Sequence, residues 1–152
     1  MTFSNPRGTH GAGMPGGPLL RWVNKVATRR ARRSGKPVMG MRLLALTTVG
    51  RRSGQERTTP VAWFPADGGG WLVVASAGGA ATNPDWYRNL AAHPDDAVVE
   101  VAGDRVPVAA RELHGDERAT AWSRITTESE QFAGYQRKTD REIPVVELTP
   151  RA

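Results

Sequence analysis

A cluster of arginines and glycines in the first half of the chain is well suited to binding an anion. Residues 50–54 read GRRSG, and Arg57 follows three residues later. Glycines at both ends let the backbone turn sharply and present its N–H groups, and guanidinium groups bind phosphate or carboxylate through paired hydrogen bonds. A solvated hairpin turn would use the same residue types, so spacing alone leaves both interpretations open.

A second candidate site lies where a strongly apolar segment ends. Residues 75–79 read ASAGG, and Asn83, Pro84 and Asp85 then form a typical helix start, with Asn83 as the cap. Free N–H groups at such a junction can bind an anion or the edge of a ring. The alternative is a tight connection that needs glycine for its backbone conformation.

Four aromatic side chains could form a stacking surface for a flat ligand. They are Trp63, Trp86, Phe132 and Tyr135. Aromatic residues are also the usual filling of a small barrel, so a purely structural role in the core is the competing interpretation.

Acid–base and metal chemistry have little support in the sequence. The chain has no cysteine, and its three histidines (His10, His93 and His114) are far apart. No histidine pair has the spacing of a zinc site, so we expect no metal. Ser76 has no histidine close to it in sequence that could activate it. If the protein is an enzyme, a bound cofactor is expected to supply the chemistry.

The apolar pattern predicts the elements that must position these groups. Helices are expected to begin at Pro18, at Pro84 after the capping Asn83, and at Asp116. Short apolar and β-branched runs separated by glycine turns predict strands that pair mainly as hairpins, and therefore a mainly β (α+β) antiparallel barrel. The six predicted strands are residues 43–49, 57–64, 71–76, 97–101, 105–113 and 143–148.

The length of 152 residues suits one domain preceded by two short segments. Residues 1–17 are rich in glycine, proline and small polar residues and predict a mobile arm. Residues 18–36 predict a basic amphipathic helix, and residues 41–150 contain the predicted barrel. No run of apolar residues is long enough to span a membrane, so a cytoplasmic location is expected.

The net charge of +6 calls for anionic partners. Besides the arginines of residues 51–57, basic residues occupy much of the helix at 18–36, with Leu19, Trp22, Val23 and Val26 on its apolar face. Such a helix could lie on the inner face of an anionic membrane, or it could pack on the barrel with its arginines in water. A nucleic-acid-binding barrel is also compatible with the charge and predicts affinity that falls steeply with salt.

Three ordered motifs are similar to those of the deazaflavin (coenzyme F420)-dependent nitroreductase and quinone reductase family. The first is TTVGRRSGQ at residues 47–55. The second combines VASAGG at 74–79 with NPDWYRNL at 83–90, and the third combines YQRKTDR at 135–141 with IPV at 143–145. The resemblance spans residues 41–150 and implies a split β-barrel. It also implies hydride transfer from reduced F420, which carries a phosphate and a polyglutamate tail, to a quinone, nitro compound or similar electron-poor acceptor.

The resemblance also implies roles for particular residues. The anionic tail would meet the three arginines, the ring would lie near Pro60, Val61 and Trp63, and residues 75–79 would hold the phosphate or ring edge. Ser76 and Tyr135 would face the acceptor as catalytic residues, and Trp63, Phe132 and Tyr135 would contact the substrate. The full set of expected cofactor-binding residues is Arg51, Arg52, Ser53, Gly54, Arg57, Thr59, Pro60, Val61, Trp63, Ala75, Ser76, Ala77, Gly78, Gly79, Trp86 and Asn89.

The chain departs from the family pattern at three positions. Family members often carry lysine where this chain has Ala77, and those that activate nitroimidazole drugs have tyrosines matching Ser129 and Phe132. A quinone or another planar acceptor is therefore expected in preference to those drugs. An FMN-binding split barrel is the alternative closest in fold, because FMN also carries a phosphate, and nucleic acid is the less favoured partner.

Overall fold

The computed structural model describes residues 3–13, 17–34, 37 and 40–151. Its strands form a closed antiparallel barrel in the order β1-β2-β3-β6-β5-β4, which confirms the predicted fold. The strands are β1 (Leu43–Val49), β2 (Glu56–Pro65), β3 (Trp71–Val74), β4 (Ala97–Val101), β5 (Asp104–Glu112) and β6 (Val145–Pro150).

Two apolar layers result from the alternation of side chains along the strands. The barrel interior contains Leu44, Leu46 and Val99, each fully buried. The second layer lies between the outer barrel surface and the helices that follow β5, and it contains Phe64, Ile125 and other apolar residues. Trp71–Val74 contributes to both layers, as expected for a continuous apolar run.

In the part of the chain that the structure describes, four α-helices accompany the barrel: α1 (Pro18–Arg33), α2 (Asp85–Ala92), α3 (Gly115–Glu128) and α4 (Glu130–Arg137). The sequence did not predict α4, because its residues show only one apolar pair, Phe132 and Tyr135, at helical spacing. The helix expected from Pro84 begins one residue later, at Asp85, with Pro84 instead of Asn83 as the capping residue. Among the described residues, no helix has the length and apolarity needed to cross a membrane.

The orientation of α1 differs from the usual one for an amphipathic helix. The helix packs on β1, β2 and β4. Ala31 is buried, whereas Leu19 and Trp22 are 74% and 64% exposed. The half-buried positions are Leu20, Asn24, Val26, Ala27, Thr28 and Arg32. Three of the four residues of the predicted apolar face, Leu19, Trp22 and Val23, therefore point to solvent, and only Val26 is half-buried. The predicted helix extended to residue 36, but residues 35 and 36 lie outside the described part of the chain.

The segment before α1 lies against the barrel at residues 3–13, contrary to the expected mobile arm. Phe3 is buried with its ring 5.4 Å from that of Tyr87. The Ser4 N–H and hydroxyl both donate to the carboxylate of Glu112. Further along, the Ala12 N–H donates to the Gly79 carbonyl at 2.9 Å. These contacts join residues distant in sequence, which explains why composition alone did not reveal them.

Candidate active site

A basic cavity of about 540 Å³ opens between the β1–β2 turn, the start of α2 and the middle of α1. It is lined by most residues of the first predicted cluster, by Pro84, which caps α2, and by three residues of α2 itself. Its lining residues are Asn24, Thr48, Gly50, Arg51, Arg52, Ser53, Arg57, Thr59, Pro84, Asp85, Trp86 and Asn89.

The β1–β2 turn holds its shape through glycine and serine. The Gly50 N–H donates to the Gln55 carbonyl at 2.7 Å, and the Gly54 N–H donates to the Gly50 carbonyl at 2.9 Å. A Cβ atom on Gly50 would lie 2.7 Å from the Ser53 hydroxyl oxygen, which itself accepts the Gln55 N–H. Gly54 has a φ of +71°, a conformation that favours glycine. The glycines therefore set the turn, and Gly54 itself does not line the cavity.

Arg51 and Arg52 in this turn and Arg57 at the start of β2 are not equivalent. The Arg51 side chain donates to Asn89 Oδ1 at 3.0 Å and lies 3.3 Å from Asp85 Oδ1. Asn89 is buried and donates in turn to the Thr48 hydroxyl, so Arg51 is committed to holding α2 against the barrel. Arg52 and Arg57 have no acidic partner within the described residues. These two guanidinium groups therefore remain available to an anionic ligand.

An apolar cavity of about 300 Å³ adjoins the basic one. The two share Asn24, Pro84 and Trp86. The remaining lining residues come from α1, the first three strands and their flanks, and α4: Ala27, Met41, Leu43, Pro60, Val61, Ala62, Val74, Ser76, Ala77, Phe132 and Tyr135. The fold thus joins a basic region to an apolar region within one cleft.

The loop after β3, of which Ser76 and Ala77 line the apolar cavity, carries backbone donors without acceptors among the described residues. Ala77, Gly78 and Gly79 all have positive φ angles, of 47°, 64° and 86°. A Cβ on Gly79 would lie 2.6 Å from the Tyr135 carbonyl oxygen, so this glycine permits the close approach of α4. The N–H groups of Ser76, Ala77 and Gly78 have no acceptor within the described part of the chain.

A buried arginine, which the sequence analysis did not propose as a site residue, orients this loop. Arg141 is only 1% exposed, and burial lowers the pKa of its guanidinium. It donates to the carbonyl oxygens of Ala75 (3.0 Å), Ser76 (2.8 Å) and Ala80 (2.9 Å), and to the side-chain oxygen of Asn83. These hydrogen bonds orient three carbonyl groups of the loop toward Arg141. The sequence signal was its place in the third motif, but its partners lie about 60 residues away.

The aromatic residues of α4 serve both the core and the cleft. Phe132 is buried, and its ring lies 5.7 Å from those of Phe64 and Tyr135 in edge-to-face contacts. The Gln131 amide donates to the hydroxyl oxygen of Tyr135. Because that bond uses a lone pair of the phenol, the Tyr135 hydroxyl proton remains free for another acceptor.

Some predicted site residues do not reach either cavity. Trp63 packs against the barrel interior and lies under Arg42, whose guanidinium carbon is 4.7 Å from the ring centroid. It lines a separate cavity of about 90 Å³ and neither of the two adjoining ones, so its expected position beside a bound ring stays a prediction. Ala75 is fully buried, and Gly78 and Gly79 shape the loop without lining either cavity.

Asn24 is one of several lining residues that the sequence analysis did not propose. Asn24 borders both the basic and the apolar cavity from the side of α1. Its side chain accepts or donates no hydrogen bond within the described residues, although its carbonyl accepts the Thr28 hydroxyl. A polar amide on the barrel-facing side of a helix was the available signal, but recognising it requires knowing which side faces the barrel.

Comparison with known proteins agrees with this architecture. A model of the F420H(2)-dependent quinone reductase family matches residues 19–150. An F420H(2)-dependent quinone reductase of Mycobacterium tuberculosis is 38% identical over 111 residues, which cover 71% of this chain and 73% of that protein.

Two solved structures are also similar. An F420-H2 dependent reductase is 36% identical with a TM-score of 0.63, and the match covers 70% of this chain and 92% of that one. A structure described as a domain-swapped dimer is 32% identical with a TM-score of 0.66, over 86% of this chain and 92% of that one. The chain therefore belongs to the F420H(2)-dependent quinone reductase family, as an oxidoreductase whose cofactor is coenzyme F420.

Proposed function

We propose that this protein reduces a quinone with reduced F420 bound along the joined basic and apolar cavities. The observation that carries the proposal is their continuity across Asn24, Pro84 and Trp86. F420 has an anionic phosphate and tail at one end and a flat deazaflavin ring at the other. A cleft that is basic at one end and apolar at the other fits such a molecule.

The residues present are suited to both ends of the cofactor. Arg52 and Arg57, free of acidic partners in the described residues, would bind its anionic groups. The N–H groups of residues 76–78 would donate to the phosphate or to the polar edge of the ring. Ala77 adds no charge where relatives often have lysine, so this chain depends more strongly on the arginines of the β1–β2 turn.

Reduced F420, when bound, supplies the hydride, and reduction of a quinone to a quinol also needs a proton. Tyr135 is the proposed proton donor, because Gln131 occupies its oxygen and leaves its hydroxyl proton free. Ser76 lines the same cavity, and its hydroxyl would hydrogen-bond to the acceptor oxygen. The protein's main contribution is therefore the positioning of the acceptor beside the cofactor.

The apolar lining favours a quinone over a nitro compound as the acceptor. Drug-activating relatives have tyrosine at two positions where this chain has Ser129 and Phe132. The Phe132 ring packs edge-to-face against Phe64. Neither supplies a phenol to a nitro group at the cavity. We therefore expect quinones to be reduced efficiently and nitroimidazoles slowly or not at all.

Titration of the apo-protein with F420 and with FMN, followed by fluorescence, tests the cofactor. Saturable binding of F420 with much weaker binding of FMN is expected, and the opposite order would contradict the proposal. A screen of quinones and nitro compounds with reduced F420 then tests the acceptor. Preferential reduction of a nitro compound would contradict the quinone assignment.

The exposed face of α1 supports a peripheral contact with the inner membrane surface. Leu19, Trp22 and Val23 are exposed together, and Arg30 and Arg33 accompany them on the solvent side. Apolar side chains beside cations are the combination that binds the interface of an anionic membrane. Such a contact would place the cleft close to a lipid-soluble quinone.

A flotation assay with anionic and neutral vesicles tests the contact. Wild-type protein is expected to float with anionic vesicles, and Leu19→Gln/Trp22→Gln is expected to lose this binding. Point substitutions are preferable to removal of residues 1–36, because truncation would also remove the buried Phe3. Equal flotation of the wild type and the double variant would contradict the proposal.

A further inference from the structure

A further cavity of about 460 Å³ forms a groove between α1 and β2. Four cationic side chains line it, namely Arg21, Lys25, Arg29 and Arg32. Asn24, Thr28, Thr58 and Thr59 complete the lining. We call this cavity the α1 groove. None of its lining residues is acidic, so the groove concentrates positive charge.

Most of this charge is not neutralised by the protein itself. Arg32 lies 3.0 Å from Glu100 Oε1 and is paired with it. Within the described residues, Arg21, Lys25 and Arg29 have no carboxylate within ion-pair distance. Three neighbouring cations without a counter-charge repel one another, and an external anion would relieve that repulsion.

The groove continues from the basic cavity. Asn24 and Thr59 line both. Arg52 and Arg57 of the basic cavity and the cations of α1 therefore border one continuous surface. An anion that leaves the basic cavity at Asn24 would meet Lys25 and Arg21 next, without crossing an acidic side chain that lines the groove.

The wall formed by α1 is held in place at its C-terminal end. The Ala102 and Gly103 N–H groups in the β4–β5 turn donate to the carbonyls of Ala31 (3.2 Å) and Arg32 (2.7 Å). These bonds satisfy carbonyls that a helix end leaves without intrahelical partners. Together with the pairing of Arg32 and Glu100, they hold the helix against the barrel, so the groove is present before any ligand binds.

We infer that the α1 groove binds the polyglutamate tail of F420, while the phosphate remains at the β1–β2 turn. This inference rests on the proposed function. Arg21, Lys25 and Arg29 are spaced four residues apart, which is about 6 Å along a helix that rises about 1.5 Å per residue. A row of cations at a regular interval matches a chain of repeated carboxylates. The tail, previously expected at the turn arginines, is thus assigned to a separate surface.

The proposal predicts an affinity that increases with tail length. The probes are F420 carrying a single glutamate and F420 carrying a long polyglutamate, each titrated into the full-length protein to obtain Kd. For the wild type, the long-tailed form is expected to bind about five- to tenfold more tightly at low salt, the effect of about two exposed ion pairs. Added salt should reduce this difference.

Two double variants of α1 distinguish binding of the tail in the α1 groove from a general effect of net charge. Arg21→Gln/Lys25→Gln removes two groove cations and is expected to abolish the advantage of the long tail. Arg30→Gln/Arg33→Gln removes the same charge from the same helix but outside the groove, and should retain that advantage. Circular dichroism and thermal melting would verify that both variants are folded.

The outcomes separate this proposal from the cofactor assignment. Equal Kd values for the two tail lengths in the wild type, with F420 still bound, would overturn the groove proposal alone. An equal loss of tail dependence in both double variants would also overturn it, since net charge would then explain the effect. Failure of both forms of F420 to bind would overturn the cofactor site and the groove together.

Discussion

Replacement of Arg141 by methionine tests how the loop at residues 75–80 is held. Methionine is similar in length but cannot donate a hydrogen bond. The substitution removes the donor from three backbone carbonyls and from Asn83 Oδ1, all of them satisfied by one guanidinium in the wild type. Since Arg141 is 1% exposed, water has little access to replace these bonds.

The magnitude follows from the number of acceptors. A buried acceptor without a donor costs about 1–3 kcal/mol, so four of them cost about 4 kcal/mol at the lower limit. Removing a buried charge recovers part of this, which leaves a net loss of about 3 kcal/mol in the free energy of unfolding. For a chain of this size the melting temperature should fall by about 6–12 °C. Arg141→Lys restores up to three donors without the planar geometry and should show an intermediate loss.

Urea unfolding followed by tryptophan fluorescence measures the effect, with Arg105→Met as the matched control. Arg105 is exposed on β5, and its substitution should change stability by less than about 0.5 kcal/mol. The Arg141 variant should also bind F420 more weakly than the control, because the loop N–H groups lose their orientation. A stability within about 1 kcal/mol of the wild type would refute this account of the loop.

Three further predictions follow from individual contacts. Tyr135→Phe should lower turnover at least about 100-fold while Kd for F420 stays unchanged, and a large rise in Kd would contradict its assignment as proton donor. Gly79→Ala should destabilise the protein in urea unfolding by about 1–3 kcal/mol, since its φ is +86° and the new Cβ would meet the Tyr135 carbonyl; wild-type stability would show that α4 can move away. Hydrogen bonds from the Thr9 hydroxyl and N–H lower the pKa of Asp140 to about 2. The stabilisation that the Asp140 carboxylate gives to the folded state is therefore complete above the usual pKa near 3.8, and it is lost as the pH falls toward 2. Hydrogen exchange of residues 8–12 should therefore accelerate over that pH range in the wild type, and be fast and pH-independent, after correction for intrinsic exchange, in Asp140→Asn.

The local sequence pattern was sufficient to predict most strands of the barrel. The predicted β1 and β4 have the same bounds as the observed strands Leu43–Val49 and Ala97–Val101. Alternating or continuous apolar residues bounded by glycine specify a strand wherever it lies in the fold. The three motifs likewise indicated the family from residues close in sequence. The cavity lined by Arg51, Arg52 and Arg57 does adjoin the one lined by Ser76, Phe132 and Tyr135.

Other features depend on contacts between residues far apart in the chain. Periodicity placed Leu19 and Trp22 on one side of α1, but only the fold decided that this side points to solvent and that Asn24 borders the cleft. Trp63 could have lined a ring site on composition alone, yet strand geometry places it beneath Arg42.

The basic residues show the same difference between local sequence and tertiary contacts. The sequence shows where the arginines are, but only the fold shows which groups they bind. Arg51 resembles Arg52 in sequence but is held by Asn89, and Arg141 resembles any surface arginine but is buried among loop carbonyls. An arginine binds whichever acceptors the folded chain brings to it, and those acceptors are separated from it by 38 residues in one case and by about 60 in the other. Local sequence therefore determined the barrel strands and the candidate chemistry, whereas tertiary packing decided which charges remain available to a ligand.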